Sequence, residues 1–321
     1  MSFGDLYLEN PALFPARHSG EPWGDHTVFI DFAGGPYAFT QLSAVQAAAA
    51  RDRFGELCRW PAEQPAVTVR VFRAPAAEFR AIAEVPWEYT FDRDYAPAWV
   101  RLAGLKFMAR LDWAPELRVG LWTPEDATLV SHGVFENLFR VVVAYRLLEQ
   151  GGVLLHSAGV ARAGEAYLFC GRSGAGKSTL SRLSLAAGHT VLSDDINALC
   201  PTDAGIVVEK LPFAGDLGQT AAPSGSYPVR AICRLEKGSE HALQRLSPAQ
   251  AVAALLACSP FVNQNPYRRD ALLHTLITLL GTIPAYALKF ALNAQFWDVL
   301  NNRCANDHTH AYPFDGAEKK S

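Results

Sequence analysis

Residues Gly171 to Ser178 read GRSGAGKS, the spacing G-x-x-x-x-G-K-S. Glycines at these places let backbone N–H groups turn inward, and a helix start behind them favours negative charge. Gly171, Ser173, Gly174, Ala175, Gly176, Lys177, Ser178 and Thr179 are therefore candidate phosphate-binding residues. In this pattern the lysine reaches the outer phosphates and the serine hydroxyl suits a magnesium ion. A glycine-rich turn before an ordinary helix is the plainer explanation of the same string. The flanks favour the cradle. Tyr167–Cys170 is a short apolar run suited to a buried strand, and Leu180, Leu183, Leu185 and Ala187 fit a helix that Gly188 ends.

A pair of acids follows. Thr190 to Ile196 reads TVLSDDI, an apolar strand ending in Asp194 and Asp195. The chain between Lys177 and these acids is long enough for one helix and a return strand, which would carry both carboxylates to the sheet edge beside the phosphates. One aspartate can hold magnesium while the other takes a proton from a hydroxyl. A surface Asp-Asp turn is the bland alternative. His156, in VLLHSAGVA, lies on the strand expected next to the phosphate-loop strand, so it can face the same pocket or simply be packed or solvated. Asp216, in the glycine-containing stretch from Glu209 to Gly218, either faces a metal or substrate or sits in a plain surface loop.

These residues need elements to hold them. Val153–Ala161 and the Tyr167 strand form a hairpin that feeds directly into the glycine loop. Most phosphate-loop proteins use a parallel sheet with helical crossovers instead. Ahead of the hairpin, Val134, Leu138, Val141, Val142, Tyr145 and Leu148 keep helical spacing, so a helix is expected over about 133–149. A domain boundary near residue 125 makes that helix the lead-in to the second domain. Before it, short strands are expected over 27–32, 36–40, 67–72, 87–91, 99–102, 105–111 and 117–122. A helix capped by Ser43 runs to about Cys58. Trp60, Trp87, Trp99, Trp113 and Trp122 are assigned to packing rather than to a binding platform.

After the acids come a flexible lid or linker at Pro223–Ser226, a strand over 229–235, a helix started by Ser247-Pro248, and helices over about 268–280 and 293–302. Arg268 or Arg269 is a phosphate clamp or part of a solvated face. The expected class is α/β: an N-terminal antiparallel α+β domain over 1–125, a nucleotide-binding domain with a mixed sheet and C-terminal helices over 126–305, and a polar tail over 306–321. His308 and His310 in the tail are not expected to bind metal.

Half of the 321 residues are hydrophobic, 19% are charged and the net charge is -3, so neither nucleic acid nor an anionic membrane is expected as a partner. The six cysteines show no C-x-x-C pair, which signals neither a zinc site nor a disulfide framework. With no signal-peptide pattern at the N-terminus and no apolar run long enough to span a bilayer, a cytoplasmic protein is expected.

His156, Gly171 to Ser178 and Asp194-Asp195, in that order and spacing, resemble the catalytic domain of HPr kinase/phosphorylase. The nucleotide core more distantly resembles that of ATP-type phosphoenolpyruvate carboxykinases. The resemblance covers about 151–197 and implies a magnesium- and ATP-dependent kinase. Its catalytic residues would be Asp194 as proton acceptor, His156 by the reacting phosphate, and Lys177. Ser178 and Asp195 would lie at the metal, with the roles of the two aspartates open to exchange. The family's glycine-rich segment used with its protein substrate has no counterpart here, so HPr is not implied as the acceptor. The acceptor is expected to be a hydroxyl on a peptide, protein or small molecule, and a homo-oligomer is left open. The alternatives are a carboxykinase-like enzyme and a non-catalytic ATP-sensing partner of a biosynthetic complex.

Overall fold

The computed structural model describes residues 20–59, 64–79, 92–104, 106–113, 116–124, 134–218 and 225–306. Trp60, the strand expected over 87–91 with Trp87, Pro223 and Ser224, and His308 and His310 lie outside the described residues. The chain divides into two compact units, Met1–Arg146 and Leu147–Ser321. No helix among the described residues is long and apolar enough to cross a membrane.

The first unit holds an eight-stranded sheet. Its strands are β1 (His26–Ile30), β2 (Tyr37–Leu42), β3 (Cys58–Arg59), β4 (Val67–Arg73), β5 (Asp92–Ala96), β6 (Trp99–Gly104), β7 (Phe107–Trp113) and β8 (Leu117–Thr123), in the order β3-β1-β2-β4-β8-β7-β6-β5. Period-two patterning drives it: Val67, Val69 and Val71 are buried while Arg70 between them is exposed. The sheet is mixed, which corrects the antiparallel expectation, because β4 pairs parallel with both β2 and β8. Residue alternation looks the same in either direction, so it could not reveal this. Parallel neighbours need a long crossover. Helix α1 (Ala44–Phe54) with β3 provides the first, and the β5–β6–β7 meander provides the second.

Ser43 caps α1 reciprocally: its Oγ accepts from Gln46 N–H at 3.1 Å and its own N–H donates to Gln46 Oε1 at 3.0 Å. Gly55, at φ 48°, ends the helix short of the expected Cys58. Helix α2 (Val134–Glu149) occupies the expected span. Its Phe139 meets the rings of Phe32, Tyr37, Phe39 and Phe54 at 4.9–5.7 Å, and Tyr145 meets Trp113 at 5.0 Å. This aromatic seam joins most of α2 to the first unit, so the division falls beyond the boundary near residue 125 that texture suggested. Trp122 is buried against Phe72, as expected of a packing residue.

The second unit contains β9 (Val153–Arg162), β10 (Glu165–Cys170), α3 (Lys177–Ala186), β11 (Thr190–Ser193), β12 (Ile196–Thr202), β13 (Gly205–Glu209), β14 (Ser226–Lys237), β15 (Ala242–Arg245), α4 (Pro248–Ala257), α5 (Arg269–Leu280), β16 (Ala285–Phe290) and α6 (Phe296–Asn306). The sheet order is β10-β9-β12-β13-β14-β16-β15, with β11 also on β9. β14 pairs parallel with β10 and β16, so the sheet is mixed and the pairings from β10 through β14 close on themselves. The β9–β10 hairpin turns at Ala163-Gly164, both at positive φ, and runs straight into the glycine loop as expected.

What steadies that loop is the packing behind it. Tyr167 and Phe169 of β10 meet Trp297 of α6 edge-on at 5.2 and 5.8 Å. Leu180 of α3 is fully buried in the same cluster. Each such side chain contributes about 1.5–3 kcal/mol of burial. The Trp297 indole N–H also donates to Ser184 Oγ at 3.3 Å, which fixes α3 to α6.

Candidate functional site

The loop between β10 and α3 places its backbone with two left-handed glycines, Gly174 at φ 75° and Gly176 at φ 106°. A Cβ on Gly176 would lie 2.9 Å from the Phe290 ring, so both conformation and space require glycine there. Helix α3 begins at Lys177, directing its unpaired N–H groups into the loop. Lys177 is buried, and its ammonium donates to Gly171 O at 3.0 Å. The Ser178 hydroxyl donates to Asp216 Oδ2 at 2.9 Å. The loop carrying Asp216 is thereby brought against the start of α3.

Asp194 and Asp195 leave β11 in a turn organised by Ser193, whose Oγ accepts from the N–H groups of Asp195 and Ile196 at 3.2 and 3.1 Å. Asp194 is buried. Its Oδ1 accepts a long 3.4 Å bond from Leu217 N–H, and its buried Oδ2 has no hydrogen-bond partner. An orphaned carboxylate oxygen is costly unless a cation or donor arrives. Gly215 packs against this carboxylate so closely that a Cβ there would sit 2.2 Å from Oδ1.

Asp195 points the other way, to His156. The two side chains meet at 2.9 Å between Oδ1 and Nδ1. Their backbones are tied as well: Ser157 N–H donates to Asp195 O at 2.9 Å, and His156 N–H to Cys258 O at 2.7 Å. Asn197 locks the strands beside them, donating to Ser157 O at 2.7 Å and to Ser157 Oγ at 3.0 Å. With Nδ1 on the carboxylate, Nε2 is the ring nitrogen left for a ligand.

These groups surround one cleft of about 400 Å³. It is lined by Ser173, Gly174, Gly176, Lys177, Ser178 and Thr179 from the loop and helix, and by His156, Asp194, Asp195 and Asp216 opposite. Gly171 and Ala175 line instead a neighbouring cleft of about 540 Å³ that shares His156 and Ser173 with the first. All the sequence-predicted site residues thus come together around these two clefts. Arg268 and Arg269 are not among the residues lining either cleft.

The donor set suits magnesium. That ion keeps several waters and needs only one or two carboxylates beside a hydroxyl and phosphate oxygens. The orphaned Asp194 oxygen, Asp216 and Ser178 meet that requirement. Among the described residues, no cluster of three or more His, Cys, Asp or Glu side chains could hold a metal on its own.

One contact was not foreseen. Cys170, the last residue of β10, is hydrogen-bonded to Cys258 just after α4. This bond pushes the Cys258 thiol below its ordinary value, helped by Gly171 N–H and by the nearby His156 and Lys177, while burial opposes the shift. The same bond, with burial, raises Cys170. Asn197 and Cys258 carried no local signal in the sequence, because each matters through a partner far away in the chain, whereas Ser193, missed as well, acts on the N–H groups two and three residues after it.

No curated protein matches the chain. The family model described as SynChlorMet cassette protein ScmC matches residues 125–305, which is more than half of its length and includes every residue of both clefts. The chain belongs to the family of the SynChlorMet cassette protein ScmC.

Proposed function

We propose that the second unit is an ATP- and magnesium-dependent kinase of the HPr kinase-like kind, transferring the γ-phosphate to a hydroxyl. The observation that carries this reading is the composition of the first cleft. A buried lysine, a helix N-terminus with its glycine loop, a serine hydroxyl, three aspartates and a histidine face one volume of about 400 Å³. A cleft that only recognised a nucleotide would need little beyond the loop.

Each residue has a role in this reading. The loop amides and Lys177 hold the phosphates and offset their charge. Ser178, Asp194 and Asp216 would hold the magnesium, which would offset negative charge on the phosphates. Asp195, steadied by His156, accepts the proton of the incoming hydroxyl. This exchanges the aspartate roles suggested by the family resemblance. The 2.9 Å contact to His156 and the partial exposure of Asp195 favour it as base, and the buried, unpartnered oxygen of Asp194 favours a cation beside it. The acceptor oxygen bonds to the γ-phosphorus as the bond to the β–γ bridging oxygen breaks, and ADP leaves with that electron pair. Five described cysteines are free thiols, which suits a reducing cytoplasm as the place of this activity.

The test is γ-labelled ATP incubated with the protein, magnesium and hydroxyl compounds, peptides included. Label transferred by the wild type and lost in Asp195→Asn supports the reading. ATP bound without any turnover would instead make the protein a nucleotide sensor.

A further inference from the structure

The second cleft adjoins the first, with His156 and Ser173 lining both, and its chemistry differs. The first cleft carries three carboxylates. The second carries none: its ionisable side chains are His156, Arg172, Arg234 and Cys258. Gln250 adds an amide, whose Oε1 is already taken by Ser247 N–H in the cap of α4, so its NH₂ remains as a donor. The rest of the wall includes the side chains of Ala253, Ala254 and Ala257 on one face of α4, small enough to leave room.

We propose that this second cleft binds the phosphate acceptor, and that the acceptor is a small hydroxyl compound bearing a carboxylate or similar anionic group. The inference rests on the kinase reading of the first cleft. The two clefts join at Ser173 and His156, so a hydroxyl reaching out of the second arrives beside the His156–Asp195 pair. Its oxygen forms the new bond to the γ-phosphorus, its proton passes to Asp195, and ADP departs on the side of the first cleft. Arg234 and Arg172 hold the anionic end. Arg234 pairs with Glu236, but that pair is exposed, contributes little in water and exchanges readily for a ligand carboxylate. A planar guanidinium matches a carboxylate fork in a way that a neutral alcohol cannot use. At about 540 Å³ the cleft accommodates a small molecule.

The test uses matched pairs with γ-labelled ATP: glycerate against glycerol, 3-hydroxypropanoate against propane-1,3-diol, and L-serine against L-serinamide. MgATP binding is measured separately by calorimetry. At least one carboxylate should take the label, with kcat/KM about tenfold or more above its neutral partner. Arg234→Gln should erase that preference, and Ala254→Phe should raise the acceptor KM while leaving MgATP affinity in place. Neutral partners labelled equally well would overturn the proposal and leave the kinase reading standing. MgATP binding with no compound labelled also overturns it, whereas failure of MgATP to bind defeats the kinase reading itself.

Discussion

His156 Nδ1 and Asp195 Oδ1 lie 2.9 Å apart, and the backbones of Ser157 and Asp195 are bonded at the same distance beside them. The pair is held from both the side-chain and the main-chain side. Asp195→Asn should lower kcat by about 10²–10⁴, the range typical of a positioned base. Because the two residues act as a unit, His156→Ala combined with Asp195→Asn should cost little more than Asp195→Asn alone. Fully additive losses in steady-state kinetics would separate the two residues.

Asp194 is expected to act through the metal. Asp194→Asn should abolish transfer and raise the magnesium concentration for half-maximal nucleotide binding. Affinity for metal-free nucleotide should be spared. Calorimetry at a series of magnesium concentrations checks this. An unchanged magnesium dependence would return Asp194 to the role of proton acceptor.

Gly215 provides a backbone test of the same carboxylate. In Gly215→Ala the new methyl would lie 2.2 Å from Asp194 Oδ1 and 2.8 Å from Asp195 Cβ, so the acids or the loop must move. Overpacking of this kind costs about 1–3 kcal/mol. The expected outcome is a folded protein, by circular dichroism, with strongly reduced transfer. Wild-type activity would mean that the positions of the acids are not critical.

Cys258 should be unusually reactive among the thiols. Its thiol lies below the ordinary 9.0 chiefly because Cys170 donates to it, so its thiolate forms as pH rises through the lowered value. The stability linked to this shift is fully present above the ordinary thiol pKa and is lost as pH falls through the lowered one. Peptide-resolved iodoacetamide labelling against pH should show a midpoint below 9.0. Cys170→Ala should move it upward. A midpoint at or above the ordinary value would contradict the hydrogen-bond account.

Much of the site could be read from the sequence because it is local. GRSGAGKS, the hairpin before it and the acids at the end of β11 each depend on neighbours within a few residues. The Ser43 and Ser247 caps are local too, and α1 and α4 begin where those caps place them. What stayed hidden was non-local. Parallel pairing of β4 leaves no mark on alternation, and the docking of Phe139 on four distant rings leaves none on helical spacing. Nor could the sequence show that Cys258 and α4 would come to lie beside the start of the glycine loop, 87 residues away from Gly171 in the chain.

The central claim is that the glycine loop and Lys177 hold a triphosphate with its magnesium. Calorimetric titration of the full chain with a non-hydrolysable ATP analogue, with and without magnesium, tests it most directly. The expected result is one site per chain, strengthened by magnesium and weakened about 10- to 100-fold by Lys177→Ala, as for loss of a charge-assisted contact. No binding to the wild type, or equal binding to Lys177→Ala, would contradict it.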